Sequence, residues 1–122
     1  NPHFPTNITA DRVVYTGTHD NDTVVGWHAQ ASADERARVE AVFGAMTDPH
    51  VTLAEAALAS PGVAAFIPVQ DLLGLGAEAR FNTPGNPQGN WGWRMSDLQL
   101  TTLAATAGAW RQRLKATGRL SA

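Results

Sequence analysis

The densest run of chemically capable side chains is Thr18-His19-Asp20-Asn21-Asp22, with Tyr15 just before it and Trp27 and His28 just after. Three readings compete for it. In the first, Asp22 or Thr23 caps a following helix and the rest is a solvated turn; this accounts for Asp22 and leaves His19-Asp20 unexplained. In the second, His19, Asp20, Asp22 and His28 are metal ligands, as in His-Asp phosphohydrolases. That chemistry needs further His and Asp ligands on separate helices, and only His3 and His50 remain, neither beside an acidic pair. In the third, a carboxylate and a neutral imidazole hydrogen-bond sugar hydroxyls and stabilise positive charge at an anomeric carbon. The tryptophans then offer faces on which sugars stack.

Gly74-Leu75-Gly76-Ala77-Glu78-Ala79 fits the dinucleotide pattern G-x-G-x-x-A, with Asp97 about 20 residues further on. The fingerprint must open a long crossover helix, however, and Asn82, Pro84, Gly85 and Pro87 end any helix there within about two turns. His3 and His50 read as ordinary loop residues beside prolines. Trp110 falls on an apolar helical stripe and reads as core.

The elements that must position the cluster are legible in outline. Arg12 to Thr16 is a short β-branched and aromatic run that ends at Gly17, so the cluster sits in the loop after a strand. Two helix starts follow with capping-box spacing, Ser32 with Glu35 and Thr52 with Glu55. Gly62 to Val69 is almost wholly apolar without alternation and reads as a parallel strand covered on both faces, bounded by Gln70-Asp71. Arg80 to Trp93 is a long loop rich in Gly, Pro and Asn that holds two tryptophans and Asn90. From Asp97 to Ala116, Leu100, Leu103, Ala107, Trp110 and Leu114 recur at three- and four-residue steps, which predicts a terminal amphipathic helix. The pattern is α/β, with two parallel strands joined by helical crossovers. Both polar loops follow the C-terminal ends of their strands, where such folds place their chemistry.

Composition narrows the partners. A formal charge of -2 with 16% charged residues gives no single-sign field, so neither nucleic acid nor an anionic membrane surface is implied. No apolar run approaches the roughly 20 residues of a membrane span. The absence of cysteine removes disulfides, thiolate metal sites and cysteine nucleophiles, and fits a cytoplasmic protein. The 122 residues suffice for one compact domain but are about half of the roughly 250 in a complete (β/α)8 barrel. The chain opens on Asn1 rather than Met, without the character of a secretion signal, and is expected to continue a longer protein.

Tyr15-Thr16-Gly17-Thr18-His19-Asp20-Asn21-Asp22-Thr23 resembles the segment that ends the seventh barrel strand of 4-α-glucanotransferases, the amylomaltases or disproportionating enzymes. Its His-Asp pair is shared with the wider α-amylase-like clan. Pro68-Val69-Gln70-Asp71-Leu72-Leu73-Gly74-Leu75-Gly76, Ala79 to Gly85 and Gly89-Asn90-Trp91-Gly92-Trp93-Arg94 match that family's eighth-strand region in order and spacing, and Asn1-Pro2-His3 fits it too. The resemblance covers essentially the whole chain. It implies a C-terminal portion of a (β/α)8 TIM barrel, the last two strand-loop-helix units, with residues 1–122 all in that barrel and no second domain. It implies a retaining enzyme that moves α-1,4-glucan segments between maltooligosaccharides or to glucose, with no metal and no organic cofactor. Asp20 then corresponds to the third catalytic carboxylate, which stabilises the oxocarbenium-like transition state. His19 and Asn90 correspond to substrate contacts. The Asp nucleophile and the Glu acid/base of the family belong to strands preceding Asn1, in the missing N-terminal part of the same barrel, so the fragment alone is expected to be inactive. Asp22 has no catalytic counterpart and is expected to cap a helix or brace the loop. The alternatives are a non-catalytic carbohydrate-binding module and a His-Asp metallohydrolase.

Overall fold

The computed structural model describes residues 4–121, so Asn1-Pro2-His3 lies outside the described residues. After a 3-10 turn at Pro5–Asn7 come strand β1 (Val13–Tyr15), helices α1 (Val24–Gln30), α2 (Ala33–Phe43) and α3 (Pro49–Ala59), and strand β2 (Ala64–Phe66). Helix α4 (Val69–Leu72), a 3-10 turn at Ala77–Ala79 and helix α5 (Asp97–Ala116) complete the order. The two strands pair in parallel, Val13 with Ala64, Val14 with Ala65 and Tyr15 with Phe66. The three helices between them form the crossover that a parallel pair requires. In the turn before β1, the Asp11 carboxyl lies below its ordinary pKa, held ionised first by the Thr9 hydroxyl and less by Arg12.

Three expectations change in detail. The strand anticipated over Gly62 to Val69 is only three residues long, because Pro68 cannot donate to a ladder and α4 takes over at Val69. Nor is it covered on both faces, since Phe66 is exposed and stacks on the equally exposed Tyr15 at 5.4 Å. The helix expected to start at Thr52 begins at Pro49, whose fixed φ suits the first helical position; Thr52 N donates to the Asp48 carbonyl at 3.0 Å as part of the first turn.

At α2 the Ser32 hydroxyl accepts from Glu35 N as the spacing predicts. The Glu35 carboxylate does not reach back to complete the box. It accepts from Trp27 Nε1 at 3.1 Å and so ties α2 to α1.

Helix α3 is the hub, packed against α1, α2, α4, α5 and β2. The buried apolar side chains among the described residues are Val24, Ala31, Met46, Ala54, Ala57, Leu58 and Ala79. Four of these are alanines, so this core removes little area from water. Helix α5 spans the predicted residues and carries a full capping box at Ser96 and Gln99, but its apolar stripe is only partly used. Leu100 and Ala107 are exposed, and Trp110 is half-buried. The Arg113 guanidinium lies 4.7 Å from the Trp110 ring and pairs with Glu55 of α3 at 3.0 Å. Beyond α5, Arg119 donates to the carbonyls of Leu58, Ser60 and Gly62 at 2.6, 3.0 and 2.8 Å. It thereby fixes the chain between α3 and β2. No helix among the described residues is long and apolar enough to cross a membrane.

Candidate functional site

The loop that carries the cluster leaves β1 through Thr16, whose N–H donates to the Phe66 carbonyl and extends the ladder by one bond. Thr18 N and Oγ1 both donate to Asn21 Oδ1, at 2.8 and 3.0 Å, and Asn21 N returns to the Thr18 carbonyl. This closes a small turn with His19 and Asp20 at its tip. The cap of α1 is Thr23, which accepts from Gly26 N at 3.0 Å. Asp22 braces the turn instead, accepting from Thr23 N at 2.7 Å.

Gly26 sets how closely α1 can lie against this loop. A Cβ there would come within 2.4 Å of Asp22 Oδ1 and 2.9 Å of the backbone N of Ala77. Alanine gains up to about 1 kcal/mol over glycine in a helix interior, but overpacking typically costs about 1–3 kcal/mol. Crowding against backbone should therefore win. Gly26→Ala is expected to lower stability by about 1–2 kcal/mol in a denaturant melt; an unchanged or raised midpoint would show that α1 can slide away freely.

The second polar loop reaches across to the first. Arg80 Nη2 donates to the Asp20 carbonyl at 2.9 Å, and Asn82 Nδ2 donates to Asp20 Oδ1 at 2.7 Å. His19 Nε2 lies 3.4 Å from the same Oδ1. Both contacts fall on one oxygen, so Oδ2 carries no protein hydrogen bond among the described residues. The Asp20 side chain is 50% exposed. The His19 ring lies 5.2 Å from the Trp91 ring, which meets Phe81 edge-on at 4.7 Å. Trp91 has a φ of 62°, left-handed backbone that a bulky residue adopts only when its surroundings hold it there. Here its N–H donates to the Phe81 carbonyl at 2.8 Å while 60% of the residue stays exposed.

Of the residues singled out by sequence, His19 and Asp20 are thus adjacent at one loop tip. Asn90 lies in the facing loop with its amide engaged locally. Its Oδ1 accepts from Thr83 N at 2.8 Å and its Nδ2 donates to the Asn86 carbonyl at 2.6 Å, which sets up the turn that presents Trp91. A cavity of about 880 Å3 beside the cluster is lined by His19, Asp22, Asp71, Arg80, Phe81 and Trp93 among others. Asp20 is not among its lining residues. The metal reading has no geometric support, because no three His, Cys, Asp or Glu side chains converge among the described residues. His28 sits in the last turn of α1 with Nε2 buried and unpartnered. The glycine pattern at 74–79 forms a single 3-10 turn, too short for the helix a dinucleotide fingerprint needs.

Sequence reasoning missed Arg80, Asn82 and Asp71 as site residues. Asp71 did leave a signal, a carboxylate in the polar pair Gln70-Asp71 set between the apolar run Gly62 to Val69 and Leu72-Leu73.

Known proteins resemble this chain over most of its length. The family model described as 4-alpha-glucanotransferase matches residues 1–101. The chain belongs to the 4-α-glucanotransferase family. It is 47% identical over 110 residues to a 4-alpha-glucanotransferase from Thermus thermophilus, covering 83% of this chain and 22% of the relative. It is 39% identical over 123 residues to a chloroplastic/amyloplastic 4-alpha-glucanotransferase from Arabidopsis thaliana, covering 98% of this chain and 21% of the relative. Among solved structures it is similar to an amylomaltase from Streptococcus agalactiae in complex with acarbose, with a TM-score of 0.78 and 26% identity. That alignment covers 95% of this chain and 23% of the amylomaltase. The chain therefore spans about a fifth of the length of these 4-α-glucanotransferases.

Proposed function

We propose that this chain is the C-terminal portion of a (β/α)8-barrel transglycosylase that moves α-1,4-glucan segments between maltooligosaccharides or to glucose, with residues 1–122 wholly inside the barrel. The observation that carries the reading is the His19–Asp20 pair at the end of a parallel strand, in a chain of this family, with Asp20 Oδ1 fixed by Asn82 and Oδ2 left for a ligand. A carboxylate held in this way presents negative charge without reorganising, which is what a developing oxocarbenium ion demands. His19 and Asn90 are assigned to sugar hydroxyls. Asn90 retains one amide hydrogen and one lone pair beyond its two loop contacts, and the exposed Trp91 face beside His19 supplies apolar surface for a pyranose ring. The nucleophile and the acid/base come from the remainder of the barrel, and no metal or organic cofactor takes part. We place the protein in the cytoplasm, in keeping with a chain that lacks cysteine.

The test is to incubate the whole protein that contains this segment with maltotriose. The expected products are glucose together with maltooligosaccharides longer than the substrate. Hydrolysis without any longer product would remove the transfer reading, and binding without turnover would favour a carbohydrate-binding module.

A further inference from the structure

We infer that Asp71 is a positioning residue for the His19–Asp20 pair, acting by holding both ends of the loop that carries them. The inference deepens the proposed function and rests on it for its catalytic consequence. Asp71 sits on α4, in the second strand-loop unit, and is 2% exposed. Its Oδ2 accepts from Thr16 Oγ1 at 2.8 Å and its Oδ1 accepts from Val24 N at 2.9 Å. Thr16 is the first residue past β1 and Val24 is the first residue of α1. A single buried carboxylate thus closes the base of the segment 17–23 from outside it. No cationic side chain pairs with Asp71 among the described residues. Its lone pairs are instead matched by these two donors, one of them an N–H at the start of α1 that would otherwise have no helical partner.

The consequence for the site is geometric. With Thr16 and Val24 pinned and Thr18 closed onto Asn21, the freedom left in the loop is concentrated at His19 and Asp20. The same second unit then takes up that freedom through Arg80 and Asn82. Catalytic groups displaced by about 1 Å can cost on the order of 10²-fold in rate even when the change lies away from the chemistry.

Hydrogen-bond inventory separates geometry from charge at Asp71. Asparagine can keep both bonds: its Oδ1 still accepts from Val24 N, and its Nδ2 donates to Thr16 Oγ1, whose hydroxyl turns from donor to acceptor. Alanine keeps neither. Thr16→Val removes one of the two and leaves Asp71 in place.

The experiment uses the whole protein and two readouts, hydrogen exchange over residues 16–26 and steady-state kinetics on maltotriose. Asp71→Ala is expected to speed exchange at Val24 by at least about 10-fold and to lower kcat by about 10²-fold per folded molecule, with a smaller change in KM. Asp71→Asn should recover both to within about fivefold of wild type, and Thr16→Val should fall between. Unchanged exchange at Val24 and kcat within about threefold in Asp71→Ala would overturn the inference. So would an asparagine variant as impaired as the alanine one, since charge rather than hydrogen-bond geometry would then be responsible. If the alanine variant does not fold, Thr16→Val and Asp71→Asn decide the matter by the same criteria. Because exchange needs no turnover, a wild-type protein without transfer activity would remove the functional reading while the pin itself is still tested.

Discussion

Asp20→Asn, made in the whole enzyme, is expected to lower turnover on maltotriose by about 10²–10³ while changing ground-state affinity much less. The substitution nearly preserves shape. An amide oxygen can still accept from Asn82 Nδ2, so the side chain should stay where the 2.7 Å contact holds it. What disappears is the negative charge at the second oxygen, which carries no protein hydrogen bond among the described residues and which we assign to the sugar. Neutral hydroxyl contacts survive in part when a carboxylate becomes an amide, whereas attraction to an oxocarbenium-like centre does not. The loss therefore falls on the transition state and appears in kcat more than in KM. Asp22→Asn is the control in the same loop. Asp22 accepts from Thr23 N at 2.7 Å, a role an amide oxygen fills equally well, so turnover should stay close to wild type and stability within about 1 kcal/mol. A folded Asp20→Asn enzyme with near wild-type turnover, or a larger loss for Asp22→Asn, would mean that the wrong carboxylate has been assigned.

How much of this was legible beforehand depended on how local each cause is. Helix α5 was readable because Leu100, Leu103, Ala107, Trp110 and Leu114 recur within a few positions of each other; the capping box at Ser96 and Gln99 is just as local but was not read. Strand β1 was readable because β-branched residues run straight into Gly17. The placement of His19 and Asp20 at a strand end followed from that, and their identity as a pair from the family resemblance. The start of α3 was misplaced because Thr52 and Glu55 imitate a capping box, while the cue that decided the matter, Pro49 at the first helical position, lay three residues upstream. The length of β2 was overestimated because an apolar run states how hydrophobic a segment is and not where its ladder stops.

The contacts that organise the site were the least readable. Asp71 meets Val24 across 47 residues of sequence and Asn82 meets Asp20 across 62, and no local periodicity encodes such pairs. Trp91 belongs to the same group. Its left-handed backbone goes with an N–H bond to the Phe81 carbonyl, and its ring meets His19; neither partner marks the position as a turn.

The isolated 122-residue chain is expected to show no disproportionation of maltotriose and no hydrolysis of starch, and to self-associate. Retaining chemistry needs two carboxyl groups roughly 5–5.5 Å apart, one as nucleophile and one as acid and then base. The carboxylates near the site other than Asp20 have structural partners. Asp71 is buried and bonded to Thr16 and Val24, and Asp22 is bonded to Thr23 N. Asp20 and Asp22 each keep one oxygen without a protein partner among the described residues, but Asp20 is assigned to charge stabilisation and Asp22 has no catalytic counterpart in the family, so no nucleophile and acid/base pair is left. The packing argument is independent of the chemistry. Strands β1 and β2 pair only with each other, so each has an outer edge without a strand partner among the described residues, and such edges template further pairing. Beside β1 lies an open groove of about 1070 Å3 walled by Val13, Tyr15, Val39, Phe43, Leu53 and Ala56. Exposed apolar surface next to a free edge favours association, and a two-stranded sheet over an alanine-rich core has little to set against it. Size-exclusion chromatography with light scattering should therefore find species larger than a monomer, and the thermal transition should be broad. A monomer with a sharp cooperative transition would indicate a unit that folds by itself, which is the behaviour of a binding module rather than of part of a barrel. Sustained glucose release from maltotriose by the purified chain would overturn the division of catalytic labour directly.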